Sequence, residues 1–228
     1  MAKRIAILQS NYIPWKGYFD LIRAVDEFIL FDGVQYTRQD WRNRNRIKTP
    51  RGARWLTVPV KGRFGQTIAE TAVGDPDWAR KHWRVIEQNY REAPFFARYS
   101  EAFETAYLDC REDRLSRINH HFLTIICGFL DIPTQISRSA DYHLGEGKTQ
   151  RLVSLCRQAG ATEYLSGPAA KDYLEPGLFA EAGIGLRYVD YHGYPEYPQL
   201  FPPFEHEVSM VDLLFNAGPD APRYLKAL

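Results

Sequence analysis

Cysteine is scarce: Cys110, Cys127 and Cys156 are the three in 228 residues. An odd number without a CxxC spacing excludes a disulfide framework and a cysteine-rich zinc site, and it fits a reducing compartment. The six histidines are scattered, and none falls into an HxxxH or HEXXH spacing, so no metal site is legible. No apolar run approaches the roughly 18 residues of a membrane span. The stretch Ile5–Leu8, behind Lys3 and Arg4, is too short for the core of a signal peptide. Neither sign of charge dominates: Lys plus Arg number 29 and Asp plus Glu 28, a net charge of +1. Such a balance argues against a general nucleic-acid or membrane-surface binder. A cytoplasmic protein with no membrane span and no DNA partner is expected. Nucleotide-loop signatures are missing too. There is no P-loop, no GxGxxG opening a helix and no GxSxG elbow, so Ser166 is not read as an esterase nucleophile. Gly145–Thr149 lacks the P-loop spacing and reads as a helix N-cap.

What is abundant is aromatic: 14 Tyr, 13 Phe and 5 Trp make up 14% of the chain. Such rings fill cores, and they also stack on bases and sugars. The hydrophobic pattern predicts an α/β fold. Ile5–Leu8 and Glu27–Phe31 are short apolar runs bounded by polar residues, hence strands. Between them Phe19, Leu21, Ile22 and Val25 recur at helical spacing within Gly17–Val25. Strand, turn, helix, strand is a βαβ unit, which implies a parallel sheet and a ligand crevice at the carboxyl ends of its strands. Asp32–Pro50 reads as a long polar connection, followed by strand candidates Trp55–Val60 and Thr67–Val73. Helices are predicted from Asp75 and Pro76 to about Arg91, over Phe95–Leu108 and over Glu112–Leu130. Strands return at Thr134–Ser137, Glu163–Leu165 and Gly185–Tyr191, with a helix over Lys148–Ala159. A Pro/Tyr-rich extended surface loop and a helix over Val208–Phe215 capped by Ser209 close the chain. The expected architecture is a Rossmann-like, mostly parallel sheet with a helical middle insertion. Residues 1–75 form a nucleotide-binding half, 76–132 the insertion, and 133–228 a second half of the same domain.

Two segments carry chemistry. The first, Gln9 to Asp20, joins the first strand to its helix. Gln9, Asn11, Tyr12, Trp15, Lys16 and Tyr18 are placed where a βαβ fold meets its ligand, beside the unpaired N–H groups of a helix start. Gly17 permits close backbone approach. Packing of the turn by Pro14, Trp15 and Tyr18 is the alternative. The second segment runs from Asp32 through Gln35, Tyr36 and Arg38 to Lys48. Arg38 to Arg51 holds six basic residues and one acidic one. Arg42, Arg44 and Arg46 alternate with Asn43 and Asn45, so an extended backbone sets guanidinium groups on one face and amides on the other. Guanidinium forks with Lys48 suit a diphosphate, and Tyr36 and Trp41 suit a base or sugar. A solvated basic loop is the plain alternative, and RNA, with tRNA the foremost form, is a third. Ser166 and Lys171 follow a strand end and are further contact candidates.

The segments IAILQSNYIPWKGYFDLI, FDGVQYTRQDWRNRNRIKTP and WLTVPVK, and later EYLSGPAAKDYL and VSMVDLLFNAG, resemble the WbqC-like protein family in order along the chain. Ser10 and Gly33 depart from its commonest pattern, where proline and an acidic residue are usual. The resemblance implies a role in bacterial surface-polysaccharide (O-antigen) assembly, as a transferase that N-acylates, for instance glycylates, the amine of a nucleotide-linked sugar. The donor would be an activated amino acid or a charged tRNA. A more distant resemblance, from Pro14 to Ile22 and on to FDGVQY, is to pantothenate synthetase and other HIGH-motif nucleotidyltransferases. It implies ATP with magnesium as a co-substrate and a substrate-binding role for Gln35. Trp15 and Tyr18 stand where that family has its histidines, leaving Lys16 and the arginines to stabilise charge. Asp32 or Asp20 would then deprotonate the attacking ammonium. A nucleotidyltransferase or ligase, and a non-catalytic sugar-nucleotide-binding partner, are the alternatives.

Overall fold

A computed structural model describes residues 2–226. Its centre is a five-stranded, all-parallel sheet built from β1 (Arg4–Leu8), β2 (Glu27–Leu30), β7 (Gln135–Arg138), β8 (Glu163–Ser166) and β9 (Gly185–Tyr188). The strand order is β7-β2-β1-β8-β9. The chain winds outward from β1 in one direction, then crosses back to β8 on its other side, so the topological switch point lies between β1 and β8. This is the expected Rossmann-like arrangement.

Period-two side-chain alternation explains why both faces are covered. Ile5, Ile7 and Ile29 point to one side, where they pack with Leu152, Cys156 and Phe179 of α5 (Lys148–Gln158) and α6 (Pro176–Glu181). Ala6, Phe28 and Leu30 point to the other, larger side, formed by α1 (Lys16–Arg23), α2 (Trp78–Tyr90), α3 (Phe96–Leu108), α4 (Leu115–Phe129) and α7 (Met210–Ala217). A strand buried on both faces reads as a nearly continuous apolar run, as Ile5–Leu8 does.

All of residues 31–134 lie between β2 and its sheet neighbour β7. This insertion holds α2 to α4 and two ribbons outside the central sheet. The first ribbon is the hairpin β3 (Arg44–Thr49) and β4 (Gly52–Thr57); the second is β5 (Val60–Lys61) with β6 (Ala72–Val73). Two expectations are corrected here. Asp32–Pro50 is not wholly a connection, because its second half is a strand. The Trp55–Val60 and Thr67–Val73 candidates do not extend the central sheet. The tight β3–β4 turn uses Gly52 at φ 96°, a left-handed conformation open to glycine. Trp83 stacks on Phe96, with centroids 6.1 Å apart and planes 10° apart, joining α2 to α3.

The tail from Val189 to Ser209 has no regular secondary structure, yet it is packed rather than displayed: Tyr194 and Tyr197 are buried. Ser209 then caps α7, its Oγ accepting the Val211 N–H at 3.2 Å. Within α7, Asp212 is fully buried and accepts hydrogen bonds from Tyr90 (2.7 Å), Tyr197 (2.6 Å) and Gln199 (2.8 Å). Burial raises its carboxyl pKa, while these three donors and nearby Lys48 oppose the rise. No helix among the described residues is long and apolar enough to cross a membrane.

Candidate functional site

The carboxyl end of β1 opens onto a cavity of about 370 Å³, lined by Asn11, Pro14, Trp15, Trp41, Asn45, Tyr191 and Glu207. Three chain segments build it. The β1–α1 turn supplies Asn11, Pro14 and Trp15. The β3 approach supplies Trp41 and Asn45. The irregular tail supplies Tyr191 and Glu207.

The turn is held in shape by buried groups. Asp32, at the end of β2, accepts the Ser10 N–H at 2.8 Å and the Ser116 hydroxyl of α4. Asn119 donates to Ser10 Oγ at 3.0 Å and to the Arg42 carbonyl at 2.9 Å. The Tyr12 N–H donates to the Trp41 carbonyl at 3.0 Å, and Asn45 Nδ2 donates to the Tyr12 carbonyl at 3.1 Å. Ile13 sits at φ 34°, an uncommon conformation for a β-branched residue, inside a fully buried environment. Strain of this kind persists where surroundings over-determine the backbone. Gly17 allows close approach, but of a neighbour within the chain: a Cβ there would stand 2.4 Å from the Trp15 ring. Trp15 in turn meets Tyr191 and Tyr194 edge-on, with both centroid distances 5.4 Å.

The arginine–asparagine alternation does form a strand, and the two sets point apart. Asn43 and Asn45 face inward and bond main-chain carbonyls of Val58 and Tyr12. The basic residues do not share one task. Arg42, just ahead of β3, turns back over the β1 end, donating to Gln9 Oε1 at 2.8 Å and to Asn11 Oδ1. Arg44 lies 4.2 Å over the Trp55 ring, and Trp55 packs against Trp41 with centroids 5.2 Å apart. Arg46 is taken by Glu207 at 2.7 Å and Glu205 at 3.6 Å. Lys48 is buried and donates to the Pro203 carbonyl, so it is no part of a surface clamp. Arg38 stays exposed beside Tyr36, which is buried against Gly62.

Other expected contacts are also enclosed. Tyr12 has no exposed face for stacking. Its hydroxyl lies between Tyr107 Oη (2.7 Å) and His82 Nδ1 (2.8 Å), and His82 Nε2 meets the Thr57 carbonyl at 3.2 Å. Burial pushes His82 down to about 4, which fixes a neutral ring that accepts from Tyr12 and donates to Thr57. Tyr18 is buried and donates to the Gln9 carbonyl at 2.9 Å. Lys16 is turned away from the cavity, into a cage of Tyr194, Tyr197 and Phe204 with its Nζ 2.8 Å from the Pro195 carbonyl. Burial lowers its ammonium to about 8, against the pull of Asp20, Asp212 and Glu196. Asp20 is buried too and accepts the Lys226 N–H at 2.9 Å. Neither Asp20 nor Asp32 lines the cavity, so neither reaches an incoming ammonium there. Gln35 pairs as an isolated bridge with Thr67, and its side chain is exposed. Ser166 is buried against Tyr164, and Lys171 lies over the Tyr188 ring, 5.3 Å from its centroid. Neither lines the cavity.

The structure therefore brings together Gln9, Asn11, Trp15, Trp41, Arg42 and Arg44. It adds Trp55, Tyr191 and Glu207, which sequence reasoning missed. Trp55 was visible only as a strand residue, and nothing local marks Glu207. A family model described as WbqC-like protein family matches residues 9–224. The chain belongs to the WbqC-like protein family. A WbqC-like relative, the uncharacterized protein Rv1507c of Mycobacterium tuberculosis, is 52% identical over 226 residues, covering 98% of each chain. No solved structure matches.

The WbqC-like cavity has walls of indole and phenol and a few polar groups, the Asn11 and Asn45 amides and the Glu207 carboxylate. That composition suits a ring-shaped polar ligand. Among the described residues no serine, cysteine or histidine lines it. Among the described residues no group of three or more His, Cys, Asp and Glu is placed to hold a metal ion.

Proposed function

We propose that this protein is a transferase acting on a nucleotide-activated amino sugar, adding an acyl or aminoacyl group to the sugar amine. The observation that carries the reading is the exposed Trp41–Trp55 pair with Arg44 stacked on it, standing at the mouth of the β1 cavity next to Arg42. Base stacking on the indoles and a diphosphate against Arg42 and Arg44 would leave the sugar inside the cavity. Trp15, Tyr191 and Asn11 would orient it. Glu207 would take the proton of the attacking ammonium, and the freed amine would attack the acyl carbonyl as the donor's leaving group departs. The diphosphate contact is thereby narrowed from four basic residues to two.

The test is calorimetry with UDP-, dTDP- and GDP-linked amino sugars and with ATP. A nucleotide sugar should bind, and Arg44→Ala should weaken it by more than about 1 kcal/mol, the loss of one charge-assisted contact. Equal affinity in a folded Arg44→Ala protein would remove the indole–guanidinium surface from the site. ATP binding with labelled-pyrophosphate exchange would instead establish the ligase reading. Lys16 stands at the start of α1, but its ammonium is caged away from the cavity and does not face those phosphates.

A further inference from the structure

Helix α4 presents two sides to the carboxyl edge of the sheet. Ser116 and Asn119 hold Asp32, Ser10 and the Arg42 carbonyl, as described. Arg117, His120 and His121 turn instead to a second cavity of about 450 Å³, which Arg138, the last residue of β7, and Glu112 also line. It therefore sits by the ends of β2 and β7, on the edge of the sheet where α/β folds of this kind take ligands.

Two arginines and one carboxylate line it, with the Asp32 carboxylate acting on His120 from behind. Arg117 has a single carboxylate neighbour, Glu112 at 3.7 Å. His121 donates through Nε2 to the Ala106 carbonyl at 3.0 Å. The Arg138 guanidinium and the His120 ring have no ion-pair or hydrogen-bond partner among the described residues. Arg117 and Arg138 are exposed; the partly buried Arg4 and Arg46 are matched by carboxylates, Glu163 at 3.2 Å and Glu207 at 2.7 Å. Cations from two different elements that converge on one hollow repel each other, and an anion relieves the repulsion.

We propose that this cavity is a binding site for an oxyanion, a phosphate or a carboxylate group. Arg117 and Arg138 hold its oxygens and His120 donates a hydrogen bond. The site stands on its own geometry and does not depend on the sugar-nucleotide reading. His120 reports on it directly. Burial, Arg138 and His121 depress its pKa, while Asp32 and Glu112 raise it, so a bound anion adds a further upward pull.

The experiment is a titration of the full chain with inorganic phosphate and, separately, with acetate, followed by calorimetry and by the His120 imidazole resonances. Saturable binding that moves His120, weakened at least about tenfold in Arg138→Gln, is expected from the loss of one charge-assisted bond. Saturation by phosphate alone assigns a phosphate ester, and by acetate alone a carboxylate. The proposal is overturned if neither anion saturates. It is also overturned if Arg138→Gln and His120→Gln bind with unchanged affinity. Arg138 is exposed, so its replacement leaves the core intact. Phosphate binding that is lost in Arg44→Ala and kept in Arg138→Gln belongs to the first cavity and equally refutes the assignment.

Discussion

Acid should destabilise this protein through one buried ring. His82 lies at the centre of a chain running from Tyr107 through Tyr12 to the Thr57 carbonyl, and its pKa falls from 6.5 to about 4 on burial. The folded value is below the unfolded one, so between them the unfolded chain binds more protons and stability rises with pH. The contribution is fully present above about pH 6.5 and is lost as the pH drops toward about 4. Between pH 7 and 4.5 a lowering of this size gives a loss of roughly 2–3 kcal/mol. Carboxylates with depressed pKa, Glu27 among them, add to acid sensitivity, so the comparison must be made against His82→Gln. A glutamine can still accept from Tyr12 and donate to Thr57, but it does not titrate. Urea denaturation of both proteins at a series of pH values is the assay. The wild type should lose roughly 2–3 kcal/mol more than the variant across that window. Parallel curves would refute the neutral-ring argument.

Asp212→Ala should leave Tyr90, Tyr197 and Gln199 without their shared acceptor and cost about 3–5 kcal/mol in urea denaturation, with Asp212→Asn milder. Gly17→Ala should drive the Trp15 ring from its place, at about 1–3 kcal/mol of overpacking, and shift tryptophan fluorescence; an unmoved spectrum would show that the ring has room. Trp55→Ala should weaken nucleotide-sugar binding by about 1–3 kcal/mol in calorimetry with little change in melting temperature.

The inner strands β1 and β2 were legible because they are short apolar runs buried on both sides, a pattern set within four or five residues, while the edge strands β7 and β9 are only partly buried. Helices α1 to α5 and α7 were legible from their spacing, while the short α6 was not. Helix α7 starts one residue after the serine that caps it. The β3 strand was half-legible: the Arg–Asn alternation announced two faces, but polar residues on both faces hid the strand inside a connection. Site residues were harder, because burial is decided far along the chain. Lysines are seldom buried. Lys16 and Lys48 are enclosed only because the carbonyls of Pro195 and Pro203 reach them across the fold. Tyr12 looked available for stacking until His82, 70 positions later, met its hydroxyl. Glu207 joins the cavity through the same tail, so no nearby motif announces it.

That tail has a consequence for how the protein is made. One wall of the β1 cavity, Asn11 to Trp15, is synthesised well before Tyr191 and Glu207 of the opposite wall. The bonds joining Lys16 to Pro195 and Arg46 to Glu207 span 179 and 161 positions. Contacts of such separation form late, after the entropy of closing a long chain has been overcome. During translation Lys16 and Arg46 are therefore without the tail groups that hold them in the finished fold. Until the tail arrives the emerging chain therefore presents a different surface from the finished one, with the Lys16 and Arg46 charges and the aromatic partners of Lys16 not yet in place.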